Sequence, residues 1–453
     1  MNFRKNLTVI YLVLFAVLVA EAAGLLVRSA VIPGLSRQAE HDRDTAMSRC
    51  NARTIASGDI YDCRKNRLFS AGGPGEKGIY ADDEAYSQII GYALPVTNQY
   101  YRLMAYYKEE LFLPAGAEGR KGADIYLTLD QGIQMKALQV LKDEIGEDGE
   151  GSVVVMDART GELKAFVSLP AFNANDLDSS LKEMNSSKEI WYPVTHKKGV
   201  PPGSIFKLVT VAAVLENGFE DFRTADKEFD VDGVRITNSY KPDGKEIGYK
   251  EALVRSSNVY MASAALAIGG DRLTEMAGRF MVGKELELDF GTVVSNWDLD
   301  SGNALETAQS AYGQGKILFS TIYGAMMAQA IANDGTMMKP YMVGAIIDQN
   351  GKCLKKGEEQ VLSKAVSKRT ARMIGGAMEE AARSYKMDDT YRIAAKTGTA
   401  QIGDADNRYE AWMVSFAPAD NPRYVIAMNH CGTKNYGISL KKPVLELYGY
   451  LLQ

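Results

Sequence analysis

The chain is predicted to be an α+β protein built on a five-stranded antiparallel sheet flanked by helices. Three observations predict this: a pair of apolar runs between residues 150 and 170, three further alternating or apolar runs between 390 and 430, and strongly apolar helical segments between the two sets. Strands gathered at the two ends of a domain, with helices in the middle, fit one antiparallel sheet covered by helices better than a chain of alternating βαβ units.

The elements follow in order. Ile125 to Leu129 is a short strand, and Asp130 can cap a helix from Gln131 to Ile145. Ser152 to Met156 and Leu163 to Leu169 form a hairpin around the turn at Asp157 to Glu162. Apolar helices start near Ser204, Ser257 and Ser320, the last stopped by Asn333-Asp334-Gly335. Arg392 to Lys396, Ala411 to Phe416 and Tyr424 to Met428 complete the sheet, and Val444 to Leu452 is a closing helix.

A length of 453 residues suggests about two to three domains. With 52 Lys and Arg against 57 Asp and Glu, the net charge of −5 offers no polyanion-binding surface, so nucleic acid is not an expected partner. Cys50, Cys63, Cys353 and Cys431 fall in no metal-ligand spacing, and free thiols are favoured over a Cys50 to Cys63 bridge. The three histidines, His41, His196 and His430, cannot build a histidine metal centre, and no GxSxG elbow is present. No metal or cofactor is expected, and any serine chemistry must use a base other than histidine.

Leu7 to Val27 is a 21-residue stretch with one charge, Glu21, preceded by Arg4 and Lys5. As a helix it spans roughly 30 Å, the thickness of bilayer hydrocarbon. Basic residues ahead of it keep residues 1–6 cytoplasmic and place the rest of the chain outside. A signal peptide cleaved near Ala20-Glu21-Ala22 is the competing reading; the apolar run continuing through Gly24-Leu25-Leu26-Val27 favours an anchor. The expected organisation is a cytoplasmic tail (1–6), a transmembrane anchor (7–27), a turn-rich membrane-proximal module (28–121) and a catalytic domain (122–453).

A serine nucleophile can use a lysine three residues later as its base, because i and i+3 share a helix face. Ser-x-x-Lys occurs at Ser179/Lys182, Ser204/Lys207 and Ser439/Lys442, but only Ser204 follows a Pro-Pro-Gly turn and opens an apolar helix. There the backbone N–H groups and the helix dipole can stabilise an oxyanion. Apolar surroundings and a second cation would lower the pKa of Lys207 from about 10.4. An ordinary serine cap with a snorkelling lysine is the plain alternative for this motif alone. The second cation is Lys396, in the single Lys396-Thr397-Gly398-Thr399 run, where glycine lets a substrate lie against the strand and hydroxyls can bind a carboxylate. Of two Ser-x-Asn runs, Ser256-Ser257-Asn258 heads an apolar helix, whereas Ser301-Gly302-Asn303 lies in a polar loop.

The ordered set Ser204-x-x-Lys207, Ser256-x-Asn258, Lys396-Thr397-Gly398 resembles the active site of the serine penicillin-recognising enzymes. Leu127-Thr128-Leu129-Asp130 with Gln134, Thr160-Gly161-Glu162, Gly313-Gln314-Gly315, Ile331 to Gly335 and Ala411-Trp412 look like the penicillin-binding transpeptidases in particular. Upstream, Gly58 to Asp62 and Tyr86 to Tyr92 resemble the short pedestal of the class B, monofunctional members, and no room is expected for a class A glycosyltransferase domain.

The resemblance implies a penicillin-binding transpeptidase fold and a D,D-transpeptidase that cross-links peptidoglycan stem peptides ending in D-Ala-D-Ala. It makes Ser204 the nucleophile, Lys207 the base, Ser256 a proton relay and Asn258 a ligand of the substrate amide. Lys396, Thr397 and Thr399 would hold the terminal carboxylate, with Gly398 giving the strand close access. The backbone N–H groups of Ser204 and Thr399 would form the oxyanion hole. β-Lactams would be trapped on Ser204, and a glycan polymerase of the SEDS family is the implied partner. A penicillin-binding sensor or hydrolysing relative and a non-catalytic wall-assembly scaffold are the alternatives.

Overall fold

In the computed structural model, the described residues are 57–71, 78–94, 99–112, 121–146, 148–186, 188–387, 389–403 and 407–453. The expected anchor at 7–27 and Cys50 lie outside them. Among the described residues no helix is long and apolar enough to cross a membrane.

Two sheets organise the chain. The first takes β1 (Ile60–Tyr61), β2 (Arg67–Ser70), β3 (Ile79–Tyr80) and β4 (Asp124–Leu127). The second opens with the hairpin of β5 (Glu150–Asp157) and β6 (Leu163–Leu169). The chain then returns to the first sheet with β7 (Val343–Ile347) and β8 (Cys353–Lys356), and completes the second with β9 (Ala394–Ile402), β10 (Arg408–Ala417) and β11 (Tyr424–Thr433). The spatial orders are β8-β7-β4-β1-β2-β3 and β9-β10-β11-β5-β6. The first sheet therefore mixes strands from both sides of residue 122, so the residues before it share their hydrogen bonding with the chain that follows.

The five-stranded sheet is the one expected from the apolar runs, antiparallel throughout. Its strands are apolar on both faces because both faces are covered: in β10, Glu410 to Ala417 are all buried. On one face lies α5 (Thr321–Ala332), where a Cβ on Gly324 would meet Val414 and Trp412. The other face carries α1 (Gln131–Ile145) and the closing helix α6 (Lys441–Leu451), tied in through Ser415 and Tyr448, whose hydroxyls are 3.0 Å apart. Asp130 caps α1 by accepting from the backbone N–H groups of Gly132 and Ile133, as its position before the helix predicts.

Two local differences from the sequence expectation matter for the site. The strand carrying Lys396 does not stop at the lysine but runs on to Ile402 through Gly398. A side chain at Gly398 would sit 2.7 Å from the Pro202 carbonyl, so glycine is what lets the strand continue beneath the Pro-Pro-Gly turn. The helix expected from Ser204 begins as a 3-10 turn, Gly203–Phe206, and becomes α2 at Lys207–Glu216. In a 3-10 turn positions i and i+3 eclipse, so Ser204 and Lys207 leave the backbone in the same direction.

Candidate active site

The turn that presents Ser204 is built by close backbone packing. Gly203 has φ of +54°, a conformation natural to glycine, and a Cβ there would lie 3.0 Å from the backbone of Thr399 and Ala400. Gly313, at φ +79°, packs so tightly on Gly203 that a Cβ would come within 1.9 Å of the Gly203 carbonyl. That approach lets the Gly203 N–H donate to the Gly313 carbonyl at 3.0 Å. The indole of Trp412, fully buried on β10, donates from Nε1 to the Pro201 carbonyl at 2.9 Å. The serine is thereby fixed against β9 from three sides, while its own side chain is half-buried and free of any hydrogen bond among the described residues.

Lys207 opens α2, a helix buried all round from Lys207 to Leu215. Its amine is completely buried and donates to the Ser256 carbonyl at 2.6 Å and to Asn258 Oδ1 at 2.7 Å, and lies 3.0 Å from Ser256 Oγ. Lys396, equally buried, approaches from β9 and donates to Ser256 Oγ at 3.1 Å and to the Thr397 carbonyl at 2.8 Å. Burial pushes the pKa of Lys207 well below its ordinary value, and the neighbouring charge of Lys396 pushes it further the same way.

The hydrogen-bond geometry accommodates a charged Lys207, with three donors for three acceptors, and a neutral one as well. A neutral amine has two N–H donors and one lone pair. The Ser256 carbonyl and Asn258 Oδ1 only accept, so they use the two donors. The Ser256 hydroxyl, already receiving an N–H from Lys396, is then the group that can turn its hydrogen toward the lone pair. Ser256 Oγ thus bridges the two lysines.

Ser256 reaches this position because it ends α3 (Tyr249–Arg255) in the left-handed region, at φ +60° and ψ +45°, and the chain turns sharply into α4 (Asn258–Ile268). Ser257 caps α4 by accepting from the Tyr260 N–H at 3.1 Å. Asn258 is fixed at its other end, with Nδ2 donating to the Thr237 carbonyl at 2.9 Å.

Lys207, Ser256, Asn258 and Lys396 therefore meet within hydrogen-bond reach, although the sequence separates them by as much as 189 positions. Ser204 projects from the same turn, but among the described residues no hydrogen bond joins it to Lys207, whose amine is held by Ser256 and Asn258 instead. A catalytic contact of this kind often tightens only when substrate is bound. On β9, Thr399 Oγ1 accepts from the Gly437 N–H at 3.0 Å, which leaves its hydroxyl hydrogen to give. Thr397 Oγ1 lies 3.4 Å from the Tyr385 hydroxyl.

The competing motifs stand apart. Ser439 donates to Glu144 at 2.6 Å, and Ser301 lies exposed in a loop. Sequence reasoning gave no role to Trp412, Gly313, Thr237 or Asn238. The first two appeared only within motif resemblances, and nothing in the local sequence marks the other two.

Comparison with known proteins places this geometry. Residues 151–447 match the penicillin binding protein transpeptidase domain family. Penicillin-binding protein 3 of Bacillus subtilis is 26% identical over 336 residues, covering 69% of this chain and 48% of that protein. Peptidoglycan D,D-transpeptidase PbpA of Mycobacterium tuberculosis is 27% identical over 334 residues, covering 68% of this chain and 67% of that protein. The chain thus matches about half to two thirds of the length of these relatives. Among solved structures, the D,D-transpeptidase domain of a peptidoglycan glycosyltransferase from Eggerthella lenta superimposes with a TM-score of 0.78 at 25% identity, covering 88% of this chain and 99% of that one. Penicillin-binding protein A of M. tuberculosis, solved as a ceftriaxone acyl-enzyme complex, gives 0.80 at 22% identity, covering 89% and 99% and sharing the fold. With about two thirds of its length matched by that family, this chain belongs to the penicillin-binding protein transpeptidases.

Proposed function

We propose that this chain is a peptidoglycan D,D-transpeptidase that works through an acyl-enzyme on Ser204. The observation that carries the reading is the convergence of two buried lysines on the Ser256 hydroxyl beside the Ser204 turn, where burial and Lys396 both depress the pKa of Lys207.

Ser204 Oγ attacks the carbonyl of the penultimate D-Ala of a stem peptide while Lys207 takes its proton. The carbonyl π bond opens, and the oxyanion that forms is met by the backbone N–H groups of Ser204 and Thr399. As the carbonyl reforms, the C–N bond breaks and terminal D-Ala leaves with a proton passed from Lys207 through Ser256. Lys396 holds positive charge beside the relay and, with Thr397 and Thr399, receives the terminal carboxylate. Gly398 lets the donor peptide lie along β9, and Asn258 binds its amide. An amine of a second stem peptide then attacks the ester and gives up a proton to Lys207, which returns it to Ser204 Oγ as the ester C–O bond breaks and the new amide is released.

A β-lactam opens its ring on Ser204 without a leaving group that can diffuse away, so the adduct persists. M. tuberculosis penicillin-binding protein A was solved with both ceftriaxone and penicillin G as acyl-enzymes, which supports the same susceptibility here. In this reading the apolar run at 7–27 anchors the chain by a single pass, with residues 28–121 as the pedestal and 122–453 as the catalytic domain outside the cytoplasm. A SEDS-family glycan polymerase supplies the strands to be cross-linked.

Intact-mass measurement of the full-length chain with penicillin G tests the reading. The expected result is one added penicillin mass, mapping to the peptide that carries Ser204, and release of D-Ala from a peptide ending in D-Ala-D-Ala. No adduct, or an adduct on another residue, would overturn it.

A further inference from the structure

We infer that Asp226 is a positioning residue for the reaction: it holds the corner between α3 and α4, so that Ser256 and Asn258 converge on Lys207. The inference rests on the proposed role of Lys207 as base.

Asp226 is completely buried and lies far from the three motifs in sequence, in an otherwise polar stretch. Its Oδ1 accepts from Asn238 Nδ2 at 2.7 Å and from Ser257 Oγ at 3.1 Å. Its Oδ2 accepts from the Tyr240 hydroxyl at 2.8 Å and lies 3.8 Å from Arg255 Nη1. Every one of these partners belongs to the corner or to the loop that clamps it. Ser257 is the cap of α4. Asn238 Oδ1 accepts from the Val259 N–H at 3.1 Å, and the adjacent Thr237 carbonyl receives Asn258 Nδ2. A carboxylate with both oxygens engaged thus ties residues 237–240 to residues 255–259, one step behind the atoms that touch Lys207.

The corner needs such a tie. Ser256 is held at φ +60°, where a residue with a Cβ is strained, and a strained residue keeps its place only when its surroundings over-determine it. From the front, Lys207 and Lys396 grip Ser256. From behind, the contacts just described run back to Asp226. Without the carboxylate, the loop at 237–240 loses two anchors, Asn258 Nδ2 loses a fixed acceptor, and water gains a path to the Lys207 amine. The charged and titratable groups facing this arrangement are Arg255 and Tyr240 around Asp226, Glu251 and Asp243 through their ion pairs with Arg255 at 2.5 and 3.5 Å, and Lys396 opposite Lys207.

The test compares Asp226→Asn, Ser257→Ala and Asp243→Asn in the full-length chain, by acylation with a fluorescent penicillin at several concentrations and pH values. Asp226→Asn is expected to lower the acylation rate constant by ~10- to 100-fold, as a displaced catalytic group does, while leaving the non-covalent affinity unchanged. Its ascending pH limb moves to higher pH, because a rehydrated Lys207 loses part of the burial that depresses its pKa. Ser257→Ala moves both quantities the same way by less. Asp243→Asn shares only the Arg255 contact and leaves them at wild-type values.

Folded Asp226→Asn and Ser257→Ala proteins with wild-type rate and pH limb would overturn the inference, as would equal losses in Asp226→Asn and Asp243→Asn. Should Asp226→Asn not fold, Ser257→Ala decides: a wild-type rate and limb overturn the inference, and a smaller loss with an upward shift upholds it. A wild-type chain that takes no label is a separate result and overturns the transpeptidase reading itself.

Discussion

Ser204→Ala is expected to abolish covalent labelling by a fluorescent penicillin while leaving the fold intact. Both halves of the expectation come from the same geometry. The Ser204 hydroxyl makes no hydrogen bond among the described residues, so its removal leaves no partner unsatisfied and should change stability by no more than about 0.5 kcal/mol. The turn around it is fixed by Gly203, Gly313 and the Trp412 indole, none of which uses the serine side chain. Loss of the nucleophile is therefore separable from loss of the site. Thermal melting should coincide with wild type, and the gel should show no band. A labelled Ser204→Ala chain would mean that another residue is the nucleophile.

The second large effect is at Lys207. Lys207→Arg is expected to lower the acylation rate constant by ~10²- to 10⁴-fold, the usual contribution of a positioned base. Arginine supplies a fixed positive charge and donors but cannot give up its proton near neutral pH, so it distinguishes a base from a mere cation. Lys207→Met, close in length and without the amine, should be as inactive. Its stability is set by opposing effects. Methionine removes a costly buried amine beside Lys396, but leaves the Ser256 carbonyl and Asn258 Oδ1 without a donor, at about 1–3 kcal/mol for each unsatisfied group. These offset one another, and the melting temperature should stay within several degrees of wild type. Near-wild-type acylation by Lys207→Arg would remove Lys207 from the role of base.

Much of this site was legible because its chemistry sits in short, rare words of sequence. Ser204 was separable from two other Ser-x-x-Lys serines by the Pro-Pro-Gly turn before it, and that turn proved to be the packed element against β9. The five strands were legible because both faces of the sheet are covered, which makes long uninterrupted apolar runs such as Ser152 to Met156. What stayed hidden was relational. The strand was expected to end at Lys396; only the Pro202 carbonyl, brought there by the fold, shows why glycine at 398 lets β9 continue.

The two-residue strand β1 is too short for periodicity to signal, so its pairing with β4 across residue 122 could not be foreseen. Asp226 carries no local signal, since a single aspartate among polar residues looks like any solvated one until Asn238, Tyr240 and Ser257 are seen to close around it. The sequence leads one to expect a contact between Lys207 and Ser204, and no hydrogen bond joins them among the described residues. That expectation missed that Ser256 and Asn258 occupy the amine when no substrate is bound.

The dependence of the acylation rate constant on pH tests most directly whether Lys207 is a neutral base. Protonated Lys207 cannot accept the Ser204 proton, so the rate must rise with pH as the amine deprotonates. Burial and Lys396 both move that rise downward. The expected profile for the full-length chain has its ascending limb well below the ordinary lysine value of about 10.4, and Lys207→Arg loses that limb. A limb at the ordinary lysine value, or one that survives in Lys207→Arg, would contradict the account.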